Sequence, residues 1–203
     1  MFFRTESFQQ FLKFYPIVSI LVAINLGLWL LTEFLPIPLF ESIRELGLGT
    51  NFMIEYNNEY WRLLTAVFFH YGLIHALFNS FSLVLFGPPL ERMLGKTKFV
   101  ILYLGSGIIG NIATFYLGSI YLQHAGASGA VFGIFGAYLF IVLFRKHLID
   151  DQNKQIIVTI MVIALIMTFV RSNINVYAHI FGFIGGFALA NLLISSKTHS
   201  RWI

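Results

Sequence analysis

Ser128 and His179 are the two residues whose chemistry would matter most if the fold brought them together. A serine hydroxyl is a weak nucleophile until a neighbouring base takes its proton, and imidazole suits that role near neutral pH. A carboxylate ordinarily orients the imidazole. Here the only aspartates, Asp150 and Asp151, share a loop remote from both residues, and Glu33 and Glu91 stand at the ends of apolar runs. The arrangement left is a dyad, with Phe132, one helical turn after Ser128, as the candidate to hold the histidine ring by stacking. Attack on a carbonyl would build negative charge on its oxygen, and Asn79, His75 and the Ser128 backbone N–H are the donors available to meet it. The chain has no cysteine, which removes disulfides, thiolate metal sites and a cysteine nucleophile.

The elements that must position these residues are membrane spans. Of 203 residues, 58% are apolar and 11% charged, where a soluble domain carries about 25% charge. Mean hydropathy is +0.79. The few charges fall in short clusters between long apolar runs, the pattern of a chain dissolved in lipid. Runs at 17–35, 63–86, 99–117, 129–144, 156–170 and 178–194 predict an all-α, polytopic, six-span bundle. The fourth and fifth, at 16 and 15 residues, fall short of the roughly 20 that a straight span needs. Residues 1–16 interleave Phe2, Phe3 and Phe8 with Arg4, Glu6 and Lys13, and read as a cytoplasmic, interfacial segment. Residues 17–195 form the six-span domain, and 196–203 a cytoplasmic tail. The loop at 36–62 mixes Phe40, Leu46, Leu48, Phe52 and Tyr56 with four glutamates (Glu41, Glu45, Glu55 and Glu59), which predicts an amphipathic element rather than a free linker.

Lysine and arginine set the orientation. With the N-terminus inside, the inner segments hold Arg4, Lys13, Arg92, Lys96, Lys98, Arg145, Lys146, Lys154, Lys197 and Arg201, and the outer ones only Arg44, Arg62 and Arg171. The net charge of +4 is therefore a topology signal, and no nucleic-acid partner is expected. Spans two, four and six then run inward, each with its polar residue near the outer end. Counted from its inner charged boundary, Ser128 stands roughly 25 Å above Arg145, His179 roughly 27 Å above Lys197 and His75 roughly 25 Å above Arg92, with Asn79 one turn deeper. Against a hydrocarbon core of about 30 Å, all lie a few ångström below the outer surface.

Helix faces agree with this depth. His75 and Asn79 share a face, as do Ser128 and Phe132, and His179, Gly182 and Gly186 stack along one stripe. Gly126, Gly129, Gly133 and Gly136 supply small residues beside the serine, so spans four and six can approach closely. Singly, each residue has a packing explanation: a serine in a glycine-rich helix usually bonds its own backbone. The shared depth is what points to chemistry, because polar side chains in lipid are costly and face a cavity or a partner.

Gly126-Ala127-Ser128-Gly129 resembles the GxSG motif of rhomboid intramembrane serine proteases. His70, His75 and Asn79 are similar to that family's HxxxxHxxxN pattern, Trp61-Arg62 to its loop-one WR signature, and Ala178-His179 with Gly182 and Gly186 to its AHxxGxxxG. Gly87-Pro88-Pro89-Leu90-Glu91-Arg92 is similar to the stretch after span two, and the matches run from about residue 59 to 190 in family order. The resemblance implies a minimal bacterial rhomboid with a Ser128–His179 dyad opening to the outer aqueous side. His75, Asn79 and the Ser128 amide would make its oxyanion site. Its partners would be the lipid bilayer and membrane-spanning protein substrates, cut near their outer ends. It implies no cofactor and no metal, in the plasma membrane, and leaves the oligomeric state open. Two alternatives compete. A bis-histidine haem protein would place paired histidines nearer mid-bilayer, and a non-proteolytic relative would keep the fold without the dyad. Metalloprotease and aspartyl mechanisms lack their residues, with neither HExxH nor a membrane aspartate in the chain.

Overall fold

In lipid every backbone N–H and C=O must be satisfied within the protein, so apolar runs of this length have to fold as helices. The computed structural model describes residues 2, 5–35, 37–171 and 174–195. The tail at 196–203, Arg4, and the start of loop one at Pro36 lie outside them, as does Lys197, the inner marker for His179.

A short helix α1 (Phe8–Phe14), closed by a reciprocal Ser7–Gln10 capping box, precedes α2 (Pro16–Trp29), whose last turn widens to a π-helical turn over Leu30–Phe34. Loop one contains α3 (Pro38–Gly47) and α4 (Asn51–Asn57), and α5 (Arg62–Thr65) leads out of it. The large helices follow: α6 (Leu73–Leu94), α7 (Lys96–Leu117), α8 (Ser128–Phe144), α9 (Asp151–Val170) and α10 (Val176–Leu193). Among the described residues, five helices are long and apolar enough to cross a membrane, counting α2 with its π turn. The sixth, α8, has 17 residues and is roughly 26 Å long. It runs through the centre of the bundle, buried from Gly129 to Tyr138 and again over Phe140–Val142. Its core partners are Leu83 and Phe86 of α6, Phe99, Leu102 and Tyr103 of α7, and Ala190 of α10.

The second span departs from expectation. The run at 63–86 predicts one helix, but residues 66–72 are turns, and α6 begins only at Leu73, after Gly72 at φ +75°. Hydropathy cannot separate a buried turn from a helix, and this turn bonds the segment ahead of Ser128. At its C-terminal end α6 instead continues through Pro88 and Pro89 to Leu94. Beside the prolines, the Tyr138 hydroxyl donates to the Phe86 carbonyl at 2.8 Å. The fifth span is longer than its apolar run because Asp150 caps it, accepting from Asn153 N–H at 2.8 Å and from Asn153 Nδ2. Those bonds, the backbone one first, hold the Asp150 carboxyl below its ordinary pKa.

Glu91 is buried, and its two oxygens accept from the Ile17 and Val18 N–H groups at 2.9 and 2.8 Å. It caps the N-terminus of α2 from another helix, where the helix dipole favours an anion. Glu91→Ala is expected to cost about 1–3 kcal/mol by leaving those donors unpaired in a buried site. Thermal unfolding in detergent checks it, and an unchanged midpoint would show that the cap contributes nothing.

Loop one is amphipathic as expected: Leu39, Ile43 and Leu46 repeat at helical spacing on α3 and are exposed. Buried Arg62 ties the loop down, its guanidinium donating to the Glu45 and Leu48 carbonyls and pairing with Glu59. Trp61 Nε1 donates to the Leu46 carbonyl at 3.3 Å, and Arg44 pairs with Glu33 at 2.6 Å. Two short strands, β1 (Gly49–Thr50) and β2 (Gln123–His124), pair antiparallel and join this loop to the segment before Ser128. His124 packs its ring against Gly49, where an added Cβ would collide with the imidazole. Burial pushes its pKa down to about 4, so the ring is neutral over the physiological range.

Candidate active site

The segment ahead of Ser128 is clamped by the turn that interrupts the second span. Gly126 N–H donates to the Ala66 carbonyl at 2.9 Å, and Ala127 N–H donates to His70 Nε2 at 3.2 Å. Since Nε2 accepts, the neutral ring carries its proton on Nδ1, which donates to the Phe68 carbonyl at 3.1 Å. His70 is thus a backbone clamp. Gly126 sits at φ +139°, and a Cβ there would stand 2.8 Å from His75 Nε2 and 3.7 Å from Ser128 Oγ. The serine hydroxyl and the His75 imidazole therefore border the same small space, kept open by glycine.

Ser128 is the first residue of α8 and is half-buried. The opening N–H groups of a helix have no intrahelical acceptor and carry the positive end of its dipole. One turn on, the Phe132 ring lies flat on His179, with centroids 4.1 Å apart and an interplanar angle of 18°. His179 is buried, and its Nδ1 is 2.9 Å from Thr168 Oγ1 on α9. Asn175 caps α10 just before it, accepting from Ala178 N–H at 3.1 Å and donating from Nδ2 to Thr114 Oγ1 of α7 at 3.0 Å.

Helices α8 and α10 touch through their glycines. A Cβ on Gly129 would lie 3.2 Å from the Ala178 carbonyl oxygen, so the chain neighbours of Ser128 and His179 are in backbone contact. Deeper, a Cβ on Gly182 would collide with the Gly129 carbonyl and one on Gly186 with the Gly133 carbonyl. Asn79 is buried on α6, where its Nδ2 donates to the His75 carbonyl at 3.2 Å.

Of the residues singled out from sequence, Gly126, Ser128, Gly129, Phe132, His75, His70, His179, Gly182 and Gly186 thus belong to one packed neighbourhood. Trp61 and Arg62 do not join it, since their bonds fix loop one. Sequence reading passed over Ala66, Asn175 and Thr168. The first acts through its backbone carbonyl and has no side-chain signal. Asn175 is a legible N-cap, standing three residues before Ala178. Thr168 lies on the stripe Asn153, Ile157, Met161, the residues by which α9 is buried, and that stripe was readable as a 3.6-residue period.

Helices of membrane length around a short buried helix that begins with a serine define a polytopic membrane protein of the α-helical class. The chain belongs to the rhomboid family: the model of the rhomboid domain matches residues 57–196. It is 47% identical over 199 residues to a putative rhomboid protease, YdcA, of Bacillus subtilis (strain 168), covering 97% of this chain and 98% of that one. It is 39% identical over 153 residues to the rhomboid protease GluP of the same organism, covering 75% of this chain but 30% of that longer protein. RHOMBOID-like protein 6, mitochondrial, of Arabidopsis thaliana is 31% identical over 169 residues, 81% of this chain and 53% of its own.

Proposed function

We propose that the chain is an intramembrane serine endopeptidase that cuts membrane-spanning helices near their outer ends by a Ser128–His179 dyad. The observation that carries this reading is the His179 ring, stacked on Phe132 one turn from Ser128, where α8 and α10 meet at Gly129 and Ala178. His179 takes the proton of Ser128 Oγ as the oxygen attacks the scissile carbonyl. The tetrahedral oxyanion is met by the Ser128 N–H at the helix start, by His75 and by Asn79. Collapse returns the proton from His179 to the leaving amine and leaves an acyl-enzyme, which water, activated by the same imidazole, then hydrolyses. The carboxylate of a triad is replaced by packing, the ring lying between Phe132 and Thr168.

The excess of lysine and arginine on alternate loops supports cytoplasmic termini and a site opening to the outer side of the plasma membrane. In this reading residues 17–195 are the protease domain and loop one is its outer cover. Asn79 donates one amide hydrogen to its own helix, and its second is available to an oxyanion. Asn79→Ala is expected to slow cleavage of a model transmembrane substrate by about 10²–10³. Reconstituted turnover measurements check this, and an unchanged rate would remove Asn79 from the oxyanion site.

A further inference from the structure

The dyad reading leaves one question of geometry: what fixes the protonation of a histidine that has no carboxylate. Thr168 Oγ1 is 2.9 Å from His179 Nδ1, and the same oxygen is 2.9 Å from the Ala164 carbonyl one turn back on α9. A hydroxyl has one proton and two lone pairs. The Ala164 carbonyl can only accept, so the hydroxyl proton points to it, and the oxygen offers a lone pair to Nδ1. Nδ1 must then carry the ring proton, leaving Nε2 unprotonated. The same arrangement serves the imidazolium that forms when Nε2 takes the serine proton, because both nitrogens then donate and the threonine need not turn.

We infer that Thr168 is a positioning residue for His179, holding the imidazole in the Nδ1–H tautomer so that Nε2 is the base, as a neutral stand-in for the carboxylate of a triad. The inference rests on the dyad reading. The placement of Thr168 agrees: it is buried at the end of the stripe by which α9 enters the bundle, while Ile163, Ile166, Phe169 and Val170 around it are exposed. The ring is thus held from two helices, by the Phe132 face on α8 and the Thr168 oxygen on α9. Thr168→Val keeps the β-branched shape and removes the hydroxyl, and with it both the acceptor for Nδ1 and the donor to the Ala164 carbonyl. Thr168→Ser keeps the acceptor and removes a methyl.

The test compares wild type, Thr168→Val, Thr168→Ser, Ser128→Ala and His179→Ala on one model transmembrane substrate in liposomes. Nitrogen-15 spectra of the histidine-labelled protein report the His179 tautomer. Thr168→Val is expected to lower kcat by roughly 10- to 100-fold through a misplaced base, with KM nearly unchanged. Thr168→Ser is expected to restore most of the rate. The wild-type spectrum is expected to show His179 protonated at Nδ1, and Thr168→Val to mix the tautomers. Thr168→Val at the wild-type rate, while Ser128→Ala and His179→Ala are inactive, overturns the role of Thr168 and leaves the dyad standing. So does Thr168→Ser as slow as Thr168→Val, or a wild-type ring protonated at Nε2. Cleavage that survives Ser128→Ala or His179→Ala overturns the dyad and this inference with it.

Discussion

Ser128→Ala and His179→Ala are each expected to abolish cleavage of a transmembrane substrate, and the double variant to be no worse than either. A nucleophile and its base act as one unit, so removing either forfeits nearly the whole covalent route, on the order of 10⁴–10⁶ in rate. The stability effects should differ between the two. Ser128 is half-buried at the first position of α8 and makes no side-chain cap bond there, so its truncation should shift unfolding by no more than about 0.5 kcal/mol. His179 is buried between Phe132 and Thr168, and its truncation leaves a hole costing about 1–3 kcal/mol. Gel-based cleavage alongside thermal unfolding separates the two effects. Substantial turnover by either single variant would sink the dyad assignment.

Gly182→Val is the second change expected to have a large effect, and its cause is steric. The Gly182 Cα faces the Gly129 backbone so closely that any Cβ overlaps the Gly129 carbonyl oxygen. Neither backbone can turn aside as a side chain could, so α8 and α10 must separate. Forced overpacking of this kind costs about 1–3 kcal/mol. The catalytic cost should be larger, because Gly129 follows Ser128 directly and a shift of about 1 Å between reacting groups is worth about 10² in rate. Gly27→Ala is the matched control: it lies on α2 with no atom within 4 Å of the added Cβ, and should be neutral or stabilising by up to about 1 kcal/mol. Wild-type activity and stability in Gly182→Val would contradict the close α8–α10 contact.

The spans were legible in the sequence because lipid imposes one solution on a long apolar run, and the amphipathic character of loop one because Phe40, Leu46, Leu48, Phe52 and Tyr56 mix with its charges. The start of the second span was not. Residues 66–72 are as apolar as a helix but form a turn in which the Ala66 carbonyl and His70 hold Gly126 and Ala127, and nothing in local hydropathy reports a bond to a segment nearly sixty residues away. Glu91 read as a charge at a span end, whereas its carboxylate caps α2. The pairing of Phe132 with His179 followed from depth and helical spacing. Thr168 escaped for a different reason. A threonine in an apolar helix ordinarily bonds the carbonyl one turn back, and Thr168 does so with Ala164. Its second partner, on another helix, is visible only once the bundle is assembled.

Labelling with a serine-directed fluorophosphonate asks whether Ser128 is an activated nucleophile without needing the natural substrate. Wild-type protein in detergent is expected to take up one phosphonate, located by peptide mass at Ser128, with labelling lost in Ser128→Ala and strongly slowed in His179→Ala. Label found on another residue, or retained in Ser128→Ala, would rule out Ser128 as the nucleophile.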